Sequence, residues 1–302
     1  MNDDTSAAET TAPDGALLRD HVIVGVDGSP VAELAADRAA DEAARRDVPL
    51  EILHVVEWAP ARKGERLAAR LREEAEALVA KVAERARRGH PGLRVVTTVD
   101  LAHTLPTLER ATERAALVVL GSRGRGGFTG LLMGSVSLSV AAGARCPILI
   151  VRARLTNAPA DEPGTVVVGV SEFDCSPAID AAFAAAQARG VPLRALHAWS
   201  YPVSPVAPYA PPMWETDDGQ KTAEATLGAA VAPFLDKYSH VALTEQVVRD
   251  TPAHALLATT DEADLVVLAA HRRHGRFGAN LGRVTHTVLH HCKAPVLLIP
   301  ID

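Results

Sequence analysis

Short apolar runs alternate along the chain with longer stretches rich in alanine and charged residues. The runs VIVGV, LVVL and ILIV contain no polar residue at alternate positions, which is typical of parallel strands buried on both faces. The stretches between them repeat apolar residues with the helical period. In the first half this pattern predicts helices at about 30–46, 65–89, 104–115 and 134–144, and strands at about 21–27, 49–57, 93–101, 116–121 and 147–152.

The same pattern occurs twice. HVIVGVDGSP at 21–30 is matched by TVVVGVSEFDCSP at 165–177, and CPILIV at 146–151 by APVLLI at 294–299. A period close to half the chain indicates duplication of a whole domain. We predict a disordered N-terminal tail over 1–19, a first domain over 20–152, a linker over 153–164 and a second domain over 165–302.

Strands that alternate with helices through right-handed crossovers form a doubly wound α/β sheet. We therefore predict two tandem α/β domains, each with a five-stranded parallel sheet in the order 3-2-1-4-5. The winding direction reverses between strands 1 and 4, and such sheets bind ligands there, at the carboxyl ends of the strands. Ser29-Pro30 and Ser176-Pro177 follow the first strand of each copy, and each serine is predicted to cap a helix.

Composition and charge narrow the functional classes. Hydrophobic residues make up 48% of the 302 residues and charged residues 23%, the balance of a soluble globular protein. The net charge of −6 argues against binding to nucleic acid or to an anionic membrane. The polar, acidic start lacks the features of a secretory signal, so we expect a cytoplasmic protein. Three distant cysteines without a CxxC pair argue against a zinc knuckle or a disulfide framework.

The fourth strand of the first copy runs directly into the glycine-rich segment GSRGRGGFTGLLMGSVS at 121–137. Glycines let a backbone approach a ligand closely, and the predicted helix start at Gly134-Ser135 offers unpaired N–H groups to an anion. Arg123 and Arg125 add positive charge, and Asp27 ends the first strand across the same switch point. The composition alone also fits a flexible surface loop, but the placement opposite Asp27 favours a nucleotide site.

The spacing within this segment resembles that of a known family. Gly121-x-x-Gly124, nine further residues and Gly134-Ser135 match the G-2x-G-9x-G-[S/T] nucleotide loop of the universal stress proteins, and VIVGVDGSP, LHVVEW and CPILIVR are also similar to that family. The resemblance covers about residues 20–152 and 165–302. It implies an adenine nucleotide α-hydrolase-like fold, binding of ATP with or without Mg²⁺, a role in stress adaptation, and a homodimer.

Carried over position by position, the resemblance assigns two groups of residues in the first copy. Asp27 and Val55 line the adenosine side of the implied site. The ribose and phosphates are bound by Gly121, Gly124, Gly134, Ser135, Val136 and Ser137, with Arg123 between them in the loop.

The second copy departs from this pattern. Only Gly134 keeps its identity, as Gly282. A bulky arginine in the loop disfavours close approach of a phosphate, so we predict a degenerate second domain with a solvated basic loop. The aligned residues are Ala269 for Gly121, Arg272 for Gly124 and Arg283 for Ser135, with Ser171, Glu172 or Asp174 in place of Asp27.

The sequence thus predicts an ATP-binding, nucleotide-responsive regulator with slow or no hydrolysis and no catalytic residue. Two alternatives stay open, a slow ATP-hydrolysing enzyme and a protein-interaction scaffold without nucleotide. No metal site is predicted, although His286 and His290 have the spacing of metal ligands on a helix. The sequence names no protein partner. The apolar runs PILIV at 147–151 and PVLLI at 295–299 predict that the two fifth strands pair in an internal pseudo-dimer.

Overall fold

The computed structural model describes most of the chain, namely residues 20–58, 64–124, 133–152, 164–200, 216–271, 273–275 and 278–301. The predicted tail over 1–19 and the linker residues 153–163 lie outside the described residues. The chain forms two compact units. The first unit contains the described residues before 148, except residues 133 and 141–143. The second unit contains these exceptions and the described residues from 148 onward.

The first copy alternates strands and helices in the predicted order. Its strands are β1 (His21–Gly25), β2 (Leu50–Glu57), β3 (Val95–Ala102), β4 (Ala115–Gly121) and β5 (Ile148–Val151). Its helices are α1 (Pro30–Arg46), α2 (Glu65–Gly89), α3 (Thr104–Ala111) and α4 (Ser135–Gly143).

The β1 strand lies between β2 and β4 and runs parallel to both. Val24 is paired with Ile52 on one side and with Val119 on the other. At the outer edge β3 is parallel to β2. The Val118 N–H donates to Pro147 O (3.1 Å) at the entry to β5. The order in the first copy is therefore β3-β2-β1-β4-β5, which confirms the predicted 3-2-1-4-5.

The second copy repeats this architecture. Its elements are β6 (Thr165–Val170), α5 (Ser176–Arg189), β7 (Leu193–Trp199), α6 (Thr216–Leu235), β8 (Leu243–Arg249), α7 (Pro252–Ala258), β9 (Ala263–His271), β10 (Arg273–Gly275), β11 (Gly278–Asn280), α8 (Arg283–His291) and β12 (Val296–Ile301). The parallel order β8-β7-β6-β9-β12 is again 3-2-1-4-5. The short strands β10 and β11 form an antiparallel hairpin at the place where the first copy has its glycine-rich loop.

The β5 strand pairs antiparallel with β12, so that Leu149 lies opposite Leu297. Both strands belong to the second unit, although β5 ends the first copy in sequence. All four residues of β5 are buried. This is the strand pairing that the two apolar runs predicted.

The helix starts show where local sequence decides the structure. The Ser29 hydroxyl accepts a hydrogen bond from the Ala32 N–H (3.2 Å), the predicted cap of α1. Ser176 was predicted to cap α5 in the same way, but this is wrong. Cys175 occupies the cap position and makes no side-chain cap bond. Asp174 instead accepts a hydrogen bond from the Ser176 N–H (3.0 Å).

The α3 helix is shorter than predicted, since it ends at Ala111 and not at residue 115. The Thr112 hydroxyl donates to Glu109 O (2.7 Å) and accepts from the Arg145 N–H (3.1 Å). These bonds hold the chain in a tight turn, from which β4 begins at Ala115.

A buried charge cluster joins β1, β2 and the turn before β4 at the amino ends of these strands. The Glu51 carboxylate is fully buried and accepts a hydrogen bond from His21 Nε2 (2.7 Å) and one from Arg114 Nη2 (2.8 Å). Burial raises the pKa of Glu51, but the bonds from His21 and Arg114 outweigh it and lower that pKa to about 2. The carboxylate therefore stays ionised inside the fold.

Candidate functional site

The site begins in the turn between β1 and α1. The Asp27 carboxylate accepts a hydrogen bond from the Ser29 N–H through Oδ1 (2.9 Å). Gly28 between them has a φ of +77°, a conformation that glycine adopts without steric cost. The half-buried Asp27 side chain is thereby fixed at the carboxyl edge of the sheet, as its place after the first strand predicted.

The chain that leaves β4 packs closely against this turn. A Cβ placed on Gly124 would overlap Asp27 Oδ2. A Cβ placed on Gly121 would lie 3.2 Å from Val31 Cγ1 and 3.3 Å from the Ala32 N, tight against the first turn of α1. The structure thus brings Gly121 and Gly124 to the turn that carries Asp27, so closely that a side chain at either position requires a neighbouring group to shift.

The first turn of α4 closes the site on the other side. Gly134 precedes the helix in an extended conformation and provides no side-chain cap, and its N–H donates to Ser122 O (2.7 Å). The N–H groups of Ser135, Val136 and Ser137 have no acceptor within the helix, as in any first turn. Ser135 and Val136 are exposed. This end of α4 therefore offers backbone donors and the positive end of the helix dipole to an anion.

Ser137 has a different place from the other predicted site residues. Its side chain is buried, and its hydroxyl donates to Gly121 O (2.7 Å). This bond ties the first turn of α4 to the end of β4. The hydroxyl is thus engaged within the protein, and the Ser137 N–H remains as a donor without an acceptor inside the helix.

The two remaining predicted residues flank this centre. Arg123 is exposed between Gly121 and Gly124. Val55 is half-buried on β2, two residues after Leu53, whose carbonyl accepts the Val26 N–H (2.9 Å). Val55 therefore lies beside the end of β1 and not in the loop. The loop residues 125–132, with Arg125 and three further glycines of the glycine-rich segment, lie outside the described residues.

Glu57 and His103 form a pair at the same edge of the sheet that sequence reasoning missed. The Glu57 carboxylate accepts hydrogen bonds from His103 Nδ1 (2.8 Å) and from the Thr104 N–H (2.9 Å). These two bonds, His103 first, lower the pKa of Glu57 to about 2. Glu57 is the last residue of β2 and Thr104 begins α3, so a carboxylate at a strand end was the signal available in the sequence.

The second copy keeps part of this framework. Asp174 accepts the Ser176 N–H in the same way as Asp27 accepts the Ser29 N–H, and this bond lowers the pKa of Asp174. Gly282 precedes α8 in an extended conformation, as Gly134 precedes α4, but an exposed Arg283 follows it. The residues Arg272 and Arg276 of the basic loop lie outside the described residues.

The His286 and His290 rings lie beside each other on α8, tilted by 31°, with their centroids 4.4 Å apart. The pKa of His290 is lowered by burial and then by the positive charges of its neighbours, which include Arg152. Among the described residues, no group of three or more metal-binding side chains occurs. In the part of the chain that the structure covers, no helix is long and apolar enough to cross a bilayer.

Comparison with known proteins gives a consistent result. The model of the Universal stress protein family matches residues 19–152 and again residues 164–300. Two universal stress proteins of Mycobacterium tuberculosis are each 34% identical to this chain, one over 286 residues (92% of this chain and 96% of that protein) and one over 288 residues (92% and 95%).

Solved structures share the fold. A universal stress protein from Archaeoglobus fulgidus has a TM-score of 0.69 and 18% sequence identity and covers 92% of this chain and 98% of its own. A universal stress protein solved in complex with cAMP covers 44% of this chain and 96% of its own, with 25% identity and a TM-score of 0.37.

Proposed function

The chain belongs to the universal stress protein family, and from this premise we propose that its first domain, residues 20–152, binds ATP and that the protein acts as a nucleotide-responsive regulator in stress adaptation. The observation that carries the proposal is the meeting of three elements at one edge of the sheet. The uncapped start of α4, the end of β4 and the Asp27 turn come together there.

The start of α4 supplies the phosphate contacts in this proposal. Three consecutive N–H groups, at Ser135, Val136 and Ser137, lack intrahelical acceptors and stand at the positive end of the dipole. Arg123 is exposed beside them and adds a mobile positive charge. A chain of negatively charged phosphates matches this set of donors better than a neutral ligand does.

The glycines and Asp27 supply the shape of the site. Gly121 and Gly124 let the backbone after β4 lie against the α1 turn, which leaves room at the strand ends. Asp27 is an acceptor held by the Ser29 N–H, suited to a hydroxyl or amino group of a nucleoside. With Val55 on the adjoining strand, these residues form the adenosine side of the proposed site.

We expect ATP hydrolysis to be slow or absent. Phosphoryl transfer to water needs a group that orients the water. Among the described residues, the Glu57 carboxylate at this edge is already engaged by His103 and Thr104, and the segment 121–137 contains no Glu or His in its sequence. If Mg²⁺ accompanies the nucleotide, its ligands come mainly from the phosphates, as is usual for this ion.

We further propose that the second domain, residues 165–302, is a degenerate copy that binds no ATP and serves as the partner of the first in an internal pseudo-dimer. Arg283 stands where the first copy has Ser135, and the β10–β11 hairpin replaces the glycine-rich loop. The antiparallel pairing of β5 with β12 supports the pseudo-dimer.

The test is to denature the purified full chain, identify any released nucleotide, and then measure ATP binding by equilibrium dialysis. Gly134→Val removes the space above the helix start, and Gly282→Val is the matched control, because both glycines have extended backbones that valine adopts. We expect ATP from the unmodified chain and from Gly282→Val, and none from Gly134→Val. Absence of ATP in the unmodified chain, together with no binding at ~1 mM ATP, would refute the proposal.

A further inference from the structure

The carboxyl edge of the first sheet carries a fixed polar pair where β2 and β3 end. The Glu57 carboxylate accepts hydrogen bonds from His103 Nδ1 (2.8 Å), from the Thr104 N–H (2.9 Å) and from the Thr104 hydroxyl (2.7 Å). The side chains of His103 and Glu57 are nevertheless 67% and 63% exposed. Holding exposed side chains in one geometry costs conformational entropy, so the order of this pair calls for a reason.

Capping of α3 explains the position of Glu57 but not that of His103. The Thr104 N–H stands in the first turn of α3 and has no acceptor within the helix, and Glu57 supplies one. His103 occupies the cap position and makes no side-chain cap bond itself. The cap needs only the bonds from Thr104. The bond between His103 and Glu57 therefore orients the imidazole ring and adds nothing to the cap.

The pair borders the adenosine side of the proposed nucleotide site. At the end of β1 the Val26 N–H donates to Leu53 O (2.9 Å), so Val55 and then Glu57 lie farther along β2, past the end of β1. Residues two apart share a face of a strand and lie about 7 Å from each other. The strand order is β3-β2-β1-β4. A nucleotide with its phosphates at α4 and its nucleoside between Asp27 and Val55 thus turns its base toward this pair.

The hydrogen bond to Glu57 decides what the His103 ring offers to a ligand. The bonds from His103 and then from Thr104 lower the pKa of Glu57 to about 2, so at neutral pH the carboxylate is ionised and can only accept. Nδ1 of His103 therefore carries a proton. In the neutral imidazole Nε2 is then an acceptor, and within the described part of the chain it makes no hydrogen bond.

We propose that His103 Nε2 accepts a hydrogen bond from the 6-amino group of the bound purine, and that Glu57 is the positioning residue that holds the ring for this contact. This inference rests on the proposed nucleotide site and gives it a base specificity. The Glu57 charge repels phosphates, so a polar base edge is the part of the nucleotide that suits the pair. A purine with a 6-oxo group is disfavoured, because its oxygen and Nε2 are both acceptors.

The test compares ATP with two analogues by titration calorimetry of the full chain at pH 8, above the range in which an ordinary imidazole titrates. Purine riboside triphosphate lacks the 6-amino group, and inosine triphosphate has a 6-oxo group. The unmodified chain should bind purine riboside triphosphate about 10-fold more weakly than ATP, the loss of one hydrogen bond. Inosine triphosphate should bind more weakly still.

His103→Asn isolates the proposed contact. The asparagine amide replaces Nδ1 as a donor to Glu57, and Nε2 is removed. This variant should bind ATP about 10-fold more weakly than the unmodified chain, with unchanged affinity for purine riboside triphosphate. The matched control is His254→Asn in the second copy, because Nδ1 of the exposed His254 also pairs with a carboxylate, that of Asp250. This control should leave all three affinities unchanged.

Two results would overturn the inference while ATP binding itself stands. One is equal affinity of the unmodified chain for ATP and purine riboside triphosphate, which needs no variant. The other is an equal loss of affinity for both ligands in His103→Asn, because a purely structural role of the ring weakens both alike. An unmodified chain that binds no ATP would overturn the proposed function, and this inference with it.

Discussion

Three glycines of the first copy differ in what a side chain placed at each position would meet. Gly124 makes room for the Asp27 carboxylate, Gly121 packs against the first turn of α1, and Gly134 begins α4 with no described atom closer than 3.5 Å to a Cβ placed there. The spacing in the sequence predicts that these positions belong together. The spacing does not reveal that Gly121 and Gly124 pack against other protein atoms, because that packing depends on how the chain after β4 meets the turn after β1.

Gly124→Ala tests the contact between the loop and Asp27. The new Cβ overlaps Asp27 Oδ2, so either the carboxylate turns away from the Ser29 N–H or the loop withdraws. If Asp27 binds the nucleoside, ATP affinity should fall by about 10-fold or more, which is the cost of one hydrogen bond to a charged group. Titration calorimetry of this variant and of Gly282→Ala, which should bind normally, measures the effect. Equal affinities for the two variants would show that Asp27 does not contact the ligand.

Glu51 governs the stability of the first unit at low pH. Its pKa is about 2 in the folded chain against 4.5 for an ordinary glutamate. Its contribution is therefore complete above about pH 4.5 and disappears as the pH falls toward 2. Glu51→Gln should lower the free energy of unfolding at pH 7 by about 3 kcal/mol, because Arg114 and His21 lose a buried partner. The variant should also flatten the acid limb of the stability curve.

The control for Glu51 is Glu74→Gln, which breaks an exposed ion pair with Arg70. Exposed pairs of this kind contribute less than about 1 kcal/mol. Urea unfolding between pH 3 and 7 compares the two variants. A loss at Glu51→Gln no larger than the loss at Glu74→Gln would contradict the assigned role of the cluster.

At the scale of elements, most of the fold could be predicted from the sequence. Unbroken apolar strands specify the parallel sheets, and Ser29 specifies the start of α1. Two of the misses share a cause, which is that distant residues override local signals. Thr112 ends α3 early through a bond from Arg145, and the pairing of Glu57 with His103 joins residues 46 positions apart. The β10–β11 hairpin also went unpredicted, because its segment lacks apolar alternation.

Arg152 links the end of β5 to α8 within the second unit. Its Nη2 donates to the carbonyls of Leu289 and His290 in the last turn of the helix, where a cation is favourable. Arg152→Ala should lower the free energy of unfolding by about 1–3 kcal/mol and speed amide exchange in the last turn of α8. Arg283→Ala, an exposed position in the first turn, is the control and should change stability by less than about 0.5 kcal/mol. Similar losses in the two variants would contradict the capping role.

At the scale of the whole molecule, the two copies share one strand order but differ at the strand ends where ligands bind. The order 3-2-1-4-5 rests on apolar runs that occur in both copies. The proposed binding site rests on Gly121, Gly124 and Ser135, which the second copy replaces with Ala269, Arg272 and Arg283. Duplication can therefore preserve a fold while the strand-end loops of the two copies diverge, because core packing and loop chemistry depend on different residues.

The most direct measurement is the number of ATP molecules bound per chain, determined by titration calorimetry on the full-length protein. The uncapped helix start beside Asp27 occurs with its glycines and Ser135 only in the first copy, so we predict one ATP per chain. That binding should be lost in Gly134→Val and kept in Gly282→Val. Two equivalent ATP molecules per chain, or a single one lost in Gly282→Val and kept in Gly134→Val, would contradict the assignment of the site to the first copy.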